Sequence, residues 1–174
     1  MAQKYLIVVD MQDDFVYGAL GSKQAQEIVD SVVKKIKEFD GRIIFTKDTH
    51  EKNYLQTQEG KFLPVEHCIR GTKGWELIAP LQEMTKSSNY KIYEKGTFGC
   101  VDLAVDLKEK EEEIVSIEWI GVCTDICVVS NALLVKANMP EVPMYVDAGC
   151  CAGVTREKHE AALETMRSCQ IQVL

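Results

Sequence analysis

Short apolar runs with the residue types of β-strands alternate with helix-like patterns along this chain. The runs lie at residues 5–9, 42–46, 91–93, 114–120, 143–146 and 171–173. Several of them are continuously apolar, as expected of strands that are covered on both faces. Strand–helix alternation of this kind favours a parallel sheet with right-handed crossover connections. The sequence therefore predicts an α/β fold with a mainly parallel sheet and helices on both of its faces.

The segments between the runs carry helix signals. Apolar residues recur every three or four positions across residues 25–39, and Gly41 follows, as at the end of an amphipathic helix. A second helix is expected from Cys127 to about Pro140, and Thr155 can cap a third that reaches about Cys169. No repeat or linker divides the chain, so we expect one domain over residues 1–174. The segment at about residues 48–84 is the exception, because it has no clear period, and long loops of this kind are usually functional.

Composition limits the classes of protein to be considered. With 174 residues, 46% of them hydrophobic, the chain can bury a full core without disulfides or structural metals. A net charge of −7 and the lack of a basic cluster argue against a nucleic acid partner. The apolar run at residues 5–9 is too short for a signal peptide or a membrane span, so we expect a cytoplasmic protein without a membrane partner. The seven cysteines form no Cys-x-x-Cys motif and are expected to be reduced thiols.

Three chemically reactive residues follow predicted strands. Asp10 and Lys95 come just after two of the runs, and Cys127 follows a third where a helix is expected to begin. The carboxyl ends of parallel strands meet at one edge of a sheet, where ligands bind in such folds. A cysteine in the first turn of a helix has its thiolate stabilised by unpaired backbone N–H groups. Each residue alone is also explained as a turn cap, a solvated cation or a packed thiol, but together they offer a nucleophile, a proton carrier and a cation.

Three segments resemble, in family order, the cysteine hydrolases related to nicotinamidase and isochorismatase, over essentially the whole chain. They are Val-Asp-Met-Gln-Asp-Asp-Phe at residues 9–15, Glu-Lys-Gly-Thr-Phe at 94–98 and Gly-Val-Cys-Thr-Asp-Ile-Cys-Val at 121–128. The resemblance implies a three-layer α/β/α sandwich with about six strands and a catalytic triad of Asp10, Lys95 and Cys127. It also implies a cis peptide bond between Val122 and Cys123, with the backbone N–H groups of Cys123 and Cys127 as an oxyanion hole.

The segment at residues 48–84 contains a candidate metal site. Asp48 and His50 are two positions apart, so in an extended chain their side chains point the same way, and His67 follows later. Taken alone, these residues are better explained as a turn-capping Asp and two surface histidines. The resemblance reverses this preference, because nicotinamidases have such a metal site and isochorismatases lack it. It implies one divalent ion, zinc before iron or manganese, that binds the pyridine nitrogen of nicotinamide.

The remaining metal ligand departs from the commonest pattern of that family. Where the pattern has a further His, this chain has Gln56. Some nicotinamidases use a Glu later in the segment, so Glu59 is the expected ligand, with Glu51 as a weaker candidate.

The resemblance also indicates which side chains surround the substrate ring. Phe15, Leu63 and Val122 are expected there, although ordinary core packing explains Phe15 almost as well. His159 is expected to be solvated because its neighbours on the predicted helix are charged, and Trp75 and Trp119 are expected to be packing residues.

The activity implied is hydrolysis of nicotinamide, a linear carboxamide, to nicotinate and ammonia through a cysteine thioester. Two alternatives stay open at this point. The same triad could act on another small amide, a ureido compound or isochorismate, because the fold alone does not select a substrate. The chain could also be a catalytically silent binding protein, although an intact triad argues against that. Relatives commonly self-associate, and the acidic composition is compatible with a homo-oligomer.

Overall fold

One parallel sheet organises residues 2–87 and 90–174, the part of the chain that this computed structural model describes. Its six strands have the order β3-β2-β1-β4-β5-β6. They are β1 (Gln3–Val9), β2 (Arg42–Asp48), β3 (Lys91–Lys95), β4 (Ile114–Val122), β5 (Met144–Ala152) and β6 (Gln172–Val173). Every neighbouring pair is parallel. The predicted α/β fold with a parallel sheet of about six strands is confirmed.

Helices cover both faces of the sheet. They are α1 (Asp13–Val16), α2 (Lys23–Glu27), α3 (Val29–Glu38), α4 (Gln58–Phe62), α5 (Ala79–Ser87), α6 (Val101–Lys108), α7 (Val129–Asn138) and α8 (Arg156–Ser168). Apolar side chains of α1, α2, α3 and α5 form one buried core with the sheet, and those of α6, α7 and α8 form a second core on its other face. The architecture is therefore a three-layer α/β/α sandwich. No helix in the described ranges has the length and apolar content that crossing a membrane requires.

Element boundaries differ from the sequence prediction in several places. The helix predicted at residues 25–39 is divided at Ile28 into α2 and α3, a break that the apolar period does not register because both helices bury the same face. Strand β5 continues to Ala152, beyond the predicted end at residue 146, through small residues with little strand propensity. The segment at residues 48–84 contains α4, the start of α5 and short 3₁₀ turns.

Thr155 caps α8 as predicted. Its hydroxyl accepts a hydrogen bond from the Lys158 backbone N–H at 3.2 Å. The cap fixes where α8 begins, directly after the chain leaves the carboxyl end of β5.

Gly121 allows β4 to approach the end of β1. It has a φ of +115°, and a Cβ added there would lie 2.1 Å from the Val9 carbonyl oxygen. Val9 and Gly121 are paired in the sheet. Since Asp10 follows Val9, this close approach places Asp10 beside the turn that follows β4.

We predict that Gly121→Ala destabilises the protein, because the new methyl group meets backbone and the positive φ is unfavourable for alanine. The expected loss is about 2 kcal/mol or more of unfolding free energy, measured by urea denaturation. Gly149→Ala is the matched control, since a Cβ there would meet an Asp147 carboxylate oxygen at an ordinary 3.4 Å. Equal stability of the two variants would contradict the close approach.

Candidate active site and metal centre

Asp10 is held at the carboxyl end of β1 by Thr46 of β2. The Thr46 hydroxyl donates to Asp10 Oδ1 at 2.7 Å, and the Asp10 backbone N–H donates to the Thr46 carbonyl at 3.2 Å. Asp10 is fully buried and has a φ of +48°. A left-handed backbone is uncommon outside glycine, and such residues concentrate at functional sites.

Lys95 joins the predicted catalytic residues at the ends of the strands. Its side chain is 2% exposed, and Nζ lies 2.6 Å from Asp10 Oδ2 and 3.5 Å from Cys127 Sγ. The same Nζ lies 3.4 Å from Asp48 Oδ1. The structure thus brings together Asp10, Lys95 and Cys127, which are far apart in sequence.

The charges of this group follow from its burial. Burial disfavours the ammonium, but the neighbouring acidic groups outweigh this and raise the pKa of Lys95 well above its usual value. Burial raises the pKa of Asp10 more than the Lys95 charge lowers it. Burial and then the Asp10 charge raise the pKa of the Cys127 thiol well above its usual value. The arrangement therefore favours a neutral thiol beside a carboxylate of increased basicity.

The turn that carries Cys127 differs from the predicted helix start. Cys127 lies in a π-helical turn, Thr124–Val128, that precedes α7. The expected lowering of its thiol pKa by a helix N-terminus is wrong, because burial and the adjacent carboxylate dominate. The Val122–Cys123 peptide bond is cis, as the family resemblance implies. Burial raises the pKa of the Cys123 thiol to about 12. Cys127 differs from it in having the Lys95 ammonium 3.5 Å from its sulfur.

A second group of residues lies beside the first and consists of Asp48, His50, Glu59 and His67. We call it the metal-type cluster. Its four candidate ligand atoms lie within 4.8 Å of one another. His50 Nε2 is 2.9 Å from Asp48 Oδ2 and 3.5 Å from Glu59 Oε1. His67 Nε2 is 3.5 Å from Asp48 Oδ2 and 3.7 Å from Glu59 Oε1. The residues predicted as metal ligands from three parts of one segment therefore converge.

The donor set fits a divalent ion. Ligands about 2.1 Å from a tetrahedral zinc are about 3.4 Å apart, close to the separations between these imidazole and carboxylate atoms. His67 Nδ1 is 2.8 Å from the Val65 carbonyl, an arrangement that orients Nε2 towards the cluster, as is usual for metal-binding histidines. Burial and the nearby Asp48 charge raise the pKa of Glu59, a repulsion that a bound cation would relieve.

The two Glu candidates for the remaining ligand are separated by the structure. Glu59 lies on α4 in the cluster, whereas Glu51 is exposed and its carboxylate accepts a hydrogen bond from Arg70 Nε at 2.8 Å. Gln56 lies in a 3₁₀ turn and is exposed. Helix α4 supplies the geometry, because it brings Glu59 back towards β2.

A cavity of about 440 Å³ lies between Cys127 and the metal-type cluster, and Asp10 and Lys95 do not line it. Cys127 lines it together with Asp48, Glu59 and His67 of the metal-type cluster. Phe15 lines it as predicted for a pocket residue, and its ring is 5.5 Å from that of His67.

Of the other two predicted pocket residues, one lines the cavity and one does not. Leu63 lines the cavity, as does Cys123. Val122 does not line it, because its side chain is fully buried in the core on the face of α1 and α3. A strand residue with no exposed surface packs against its neighbours and leaves contact with a ligand to the residues that follow.

Gln12 supports the metal-type cluster and was not identified from the sequence. Its side-chain carbonyl accepts from the Asp48 N–H at 2.7 Å, and its amide donates to the carbonyls of Asp48 and Trp75, each at 2.8 Å. These bonds fix the backbone of Asp48 at the end of β2. Its only sequence signal was a polar residue within the motif that contains Asp10, and the structure shows this residue to be fully buried.

Three expectations about other large side chains have mixed outcomes. Trp119 is fully buried in the core, as expected. Trp75 packs, and its Nε1 also donates to Thr49 Oγ1 at 2.8 Å. His159 is partly buried, not solvated, because its ring contacts Thr124 at 2.8 Å.

Asn131 of α7 ties the Cys127 turn to the loop after β3. Its amide donates to the carbonyls of Cys127 at 2.7 Å and Phe98 at 2.9 Å, and its carbonyl accepts from the Cys100 N–H at 2.8 Å. Asn131 is fully buried. A polar side chain on an otherwise apolar helix face was its only sequence signal.

Comparison with known proteins places the chain in a family. The model of the Isochorismatase domain matches residues 4–174. The sequence is 30% identical to the uncharacterized isochorismatase family protein PncA of Bacillus subtilis, over 92% of each chain. The chain therefore belongs to the isochorismatase family, as the motifs indicate.

Solved structures with the same fold carry more specific names. The structure of nicotinamidase/pyrazinamidase PncA from Bacillus subtilis superposes with a TM-score of 0.84 at 29% identity, covering 98% of each chain. The pyrazinamidase of Pyrococcus horikoshii in complex with zinc has a TM-score of 0.81 at 29% identity, covering 99% of this chain and 98% of its own.

We predict that Asn131→Ala lowers stability strongly, because the buried Cys127 carbonyl and Cys100 N–H and the partly buried Phe98 carbonyl lose this partner. Each such group costs about 1–3 kcal/mol, so the unfolding free energy should fall by about 3 kcal/mol or more. Asn138→Ala is the control, since Asn138 on the same helix donates to the Leu134 carbonyl at 2.9 Å but is exposed. Chemical denaturation of both variants measures the difference, and similar small losses would contradict the role of Asn131.

Proposed function

We propose that this protein hydrolyses nicotinamide to nicotinate and ammonia, with one divalent metal ion bound beside the catalytic cysteine. The observation that carries the proposal is the shared cavity, which is lined by Cys127 and by three of the four residues of the metal-type cluster. Asp48 belongs to the cluster and also contacts Lys95 at 3.4 Å. Relatives named as nicotinamidase/pyrazinamidase and as a zinc-bound pyrazinamidase support this choice.

Asp10 is the proposed proton acceptor for Cys127. The neutral thiol transfers its proton to the buried carboxylate, whose raised pKa makes it a better base. Lys95 stays protonated and contacts both partners, at 2.6 Å and 3.5 Å, so its charge stabilises the thiolate as it forms.

The thiolate then attacks the carboxamide carbon and forms a C–S bond. The backbone N–H groups of Cys123 and Cys127 are the proposed donors to the developing oxyanion, a contribution of roughly 3 kcal/mol per donor in comparable sites. Asp10 returns its proton to the departing nitrogen, the C–N bond breaks, and ammonia leaves a thioester on Cys127. Asp10 next takes a proton from the water that cleaves the thioester, which releases nicotinate and restores the thiol.

The remaining residues are proposed to bind and orient the ring. Asp48, His50, Glu59 and His67 would hold the metal, and a bound ion would act as a Lewis acid for the pyridine nitrogen. Phe15 and Leu63 line the cavity and offer apolar surface to the ring. Binding at the ring nitrogen and reaction at the carboxamide would thus use two ends of one cavity.

We predict that Cys127→Ala abolishes ammonia release from nicotinamide, because no other group in the site supplies the nucleophile. The rate should fall by roughly a thousandfold or more, while binding of nicotinamide by calorimetry is retained. Cys169→Ala, which removes an exposed thiol, should leave the rate unchanged. A wild-type protein without activity on nicotinamide, tested beside a panel of other small amides and ureido compounds, would overturn the proposed substrate. Turnover by Cys127→Ala would overturn the proposed nucleophile.

We predict that removal of metal by a strong chelator abolishes activity and that zinc restores it. Glu59→Gln should weaken metal binding by about tenfold or more, because the cluster loses a charged ligand. The measurement is metal content per protein after dialysis against graded free zinc. Glu66→Gln, an exposed change in the same segment, serves as the control. Full activity of metal-free protein would count against this role of the cluster.

A further inference from the structure

His159 of α8 contacts the turn that carries Cys127. Its Nδ1 lies 2.8 Å from Thr124 Oγ1, and Thr124 is fully buried. Thr124 is the first residue of the π-helical turn and follows the cis peptide bond by one residue. In the described part of the chain, the Thr124 hydroxyl has no other hydrogen-bond partner. The imidazole is therefore the group that fixes the rotamer of this buried hydroxyl.

A second contact joins the same two elements. Asp125 Oδ1 accepts a hydrogen bond from the Val154 N–H at 2.9 Å. Gly153 permits this approach, because a Cβ there would lie 2.9 Å from Asp125 Oδ1 and 2.9 Å from His159 Cβ. The beginning of α8 and the loop before it thus pack directly on the two residues that start the Cys127 turn.

The environment of His159 favours a neutral ring. Burial lowers its pKa, against the opposing charges of Glu160 and Asp125. The ring also faces a small cavity lined in part by Glu27 and Arg156. In a neutral ring with its hydrogen on Nε2, Nδ1 accepts a hydrogen bond from the Thr124 hydroxyl.

His159 itself does not line the substrate cavity, although its neighbour Lys158 does. Its effect on a reaction must therefore pass through Thr124 to the backbone of the turn. A displacement of about 1 Å at a reacting group can lower a rate by about a hundredfold.

We propose that His159 is a positioning residue that, through Thr124, fixes the turn presenting Cys127 to the bound carboxamide; this proposal rests on the proposed function. The metal-type cluster and Phe15, which are proposed to hold the ring, lie on other elements, so we expect this contact to act on the position of Cys127 more than on ring binding. Loss of the contact lowers kcat and leaves KM for nicotinamide nearly unchanged.

The test compares two replacements of His159. His159→Phe keeps a planar ring but removes Nδ1, and kcat should fall by about tenfold or more with KM within about twofold. His159→Asn keeps a hydrogen-bonding atom near the position of Nδ1, and kcat should stay within about threefold of wild type. Glu164→Ala, an exposed change on the same helix, is the control and should have no effect.

A coupling measurement assigns the effect to Thr124. Thr124→Val should lower kcat as His159→Phe does, and the double variant should be no slower than either single variant, because both remove one interaction. Additive losses would overturn the proposal, as would an unchanged kcat in His159→Phe. Equal losses in His159→Phe and His159→Asn would also overturn it. Melting temperatures are measured in parallel. A variant that is less stable but has an unchanged kcat counts against a positioning role for His159.

A substrate-independent measurement separates this proposal from the proposed function. If wild-type protein releases no ammonia from nicotinamide, the proposed function fails, and the rate of Cys127 alkylation by iodoacetamide decides the role of His159. That rate should change by about threefold or more in His159→Phe and stay unchanged in His159→Asn, because thiolate reactivity depends on its local partners. An alkylation rate that is the same in both variants and in wild type would overturn the proposal.

Discussion

The buried ammonium of Lys95 is the interaction on which the site depends. It lies 2.6 Å from the Asp10 carboxylate and 3.4 Å from that of Asp48. Two buried carboxylates at the ends of adjacent strands would repel each other, and a cation between them offsets both that repulsion and part of the cost of burial. The cation comes from β3, the edge strand, so it reaches across the end of β2. Strand order and charge balance are therefore linked at this edge of the sheet.

Much of the fold, and the positions of the reactive residues in it, could be predicted from the sequence. Apolar runs predicted the strands because parallel strands buried on both faces need continuous apolar surface. Asp10, Lys95 and Cys127 could be placed together because the carboxyl ends of such strands must meet at one edge. The boundary errors arose where residue type is a poor guide, as in the small residues that end β5 and at the single-residue break at Ile28.

Some contacts between residues distant in sequence could not be predicted, because no local pattern marks them. The Gln12 side chain meets the backbone of Asp48, and His159 meets Thr124, yet neither pairing leaves a local pattern. The expected stabilisation of the Cys127 thiolate was wrong for a related reason. The pKa of this thiol depends on its burial and on the neighbouring Asp10 carboxylate, which the local turn does not reveal. Val122 was assigned to the pocket from the family resemblance, but its side chain packs in the core.

Asp48 uses its two carboxylate oxygens on different neighbours. Oδ1 faces Lys95, and Oδ2 faces His50 and His67. Replacement of Asp48 by a neutral residue therefore removes negative charge from both groups at once. Such a variant would be defective both in metal binding and in the proton transfers beside Lys95. Kinetic measurements alone could not separate these two defects. Among the four cluster residues, Glu59 is the cleaner choice for genetic dissection, because it contacts both imidazoles and makes no ion pair with Lys95 in the described part of the chain.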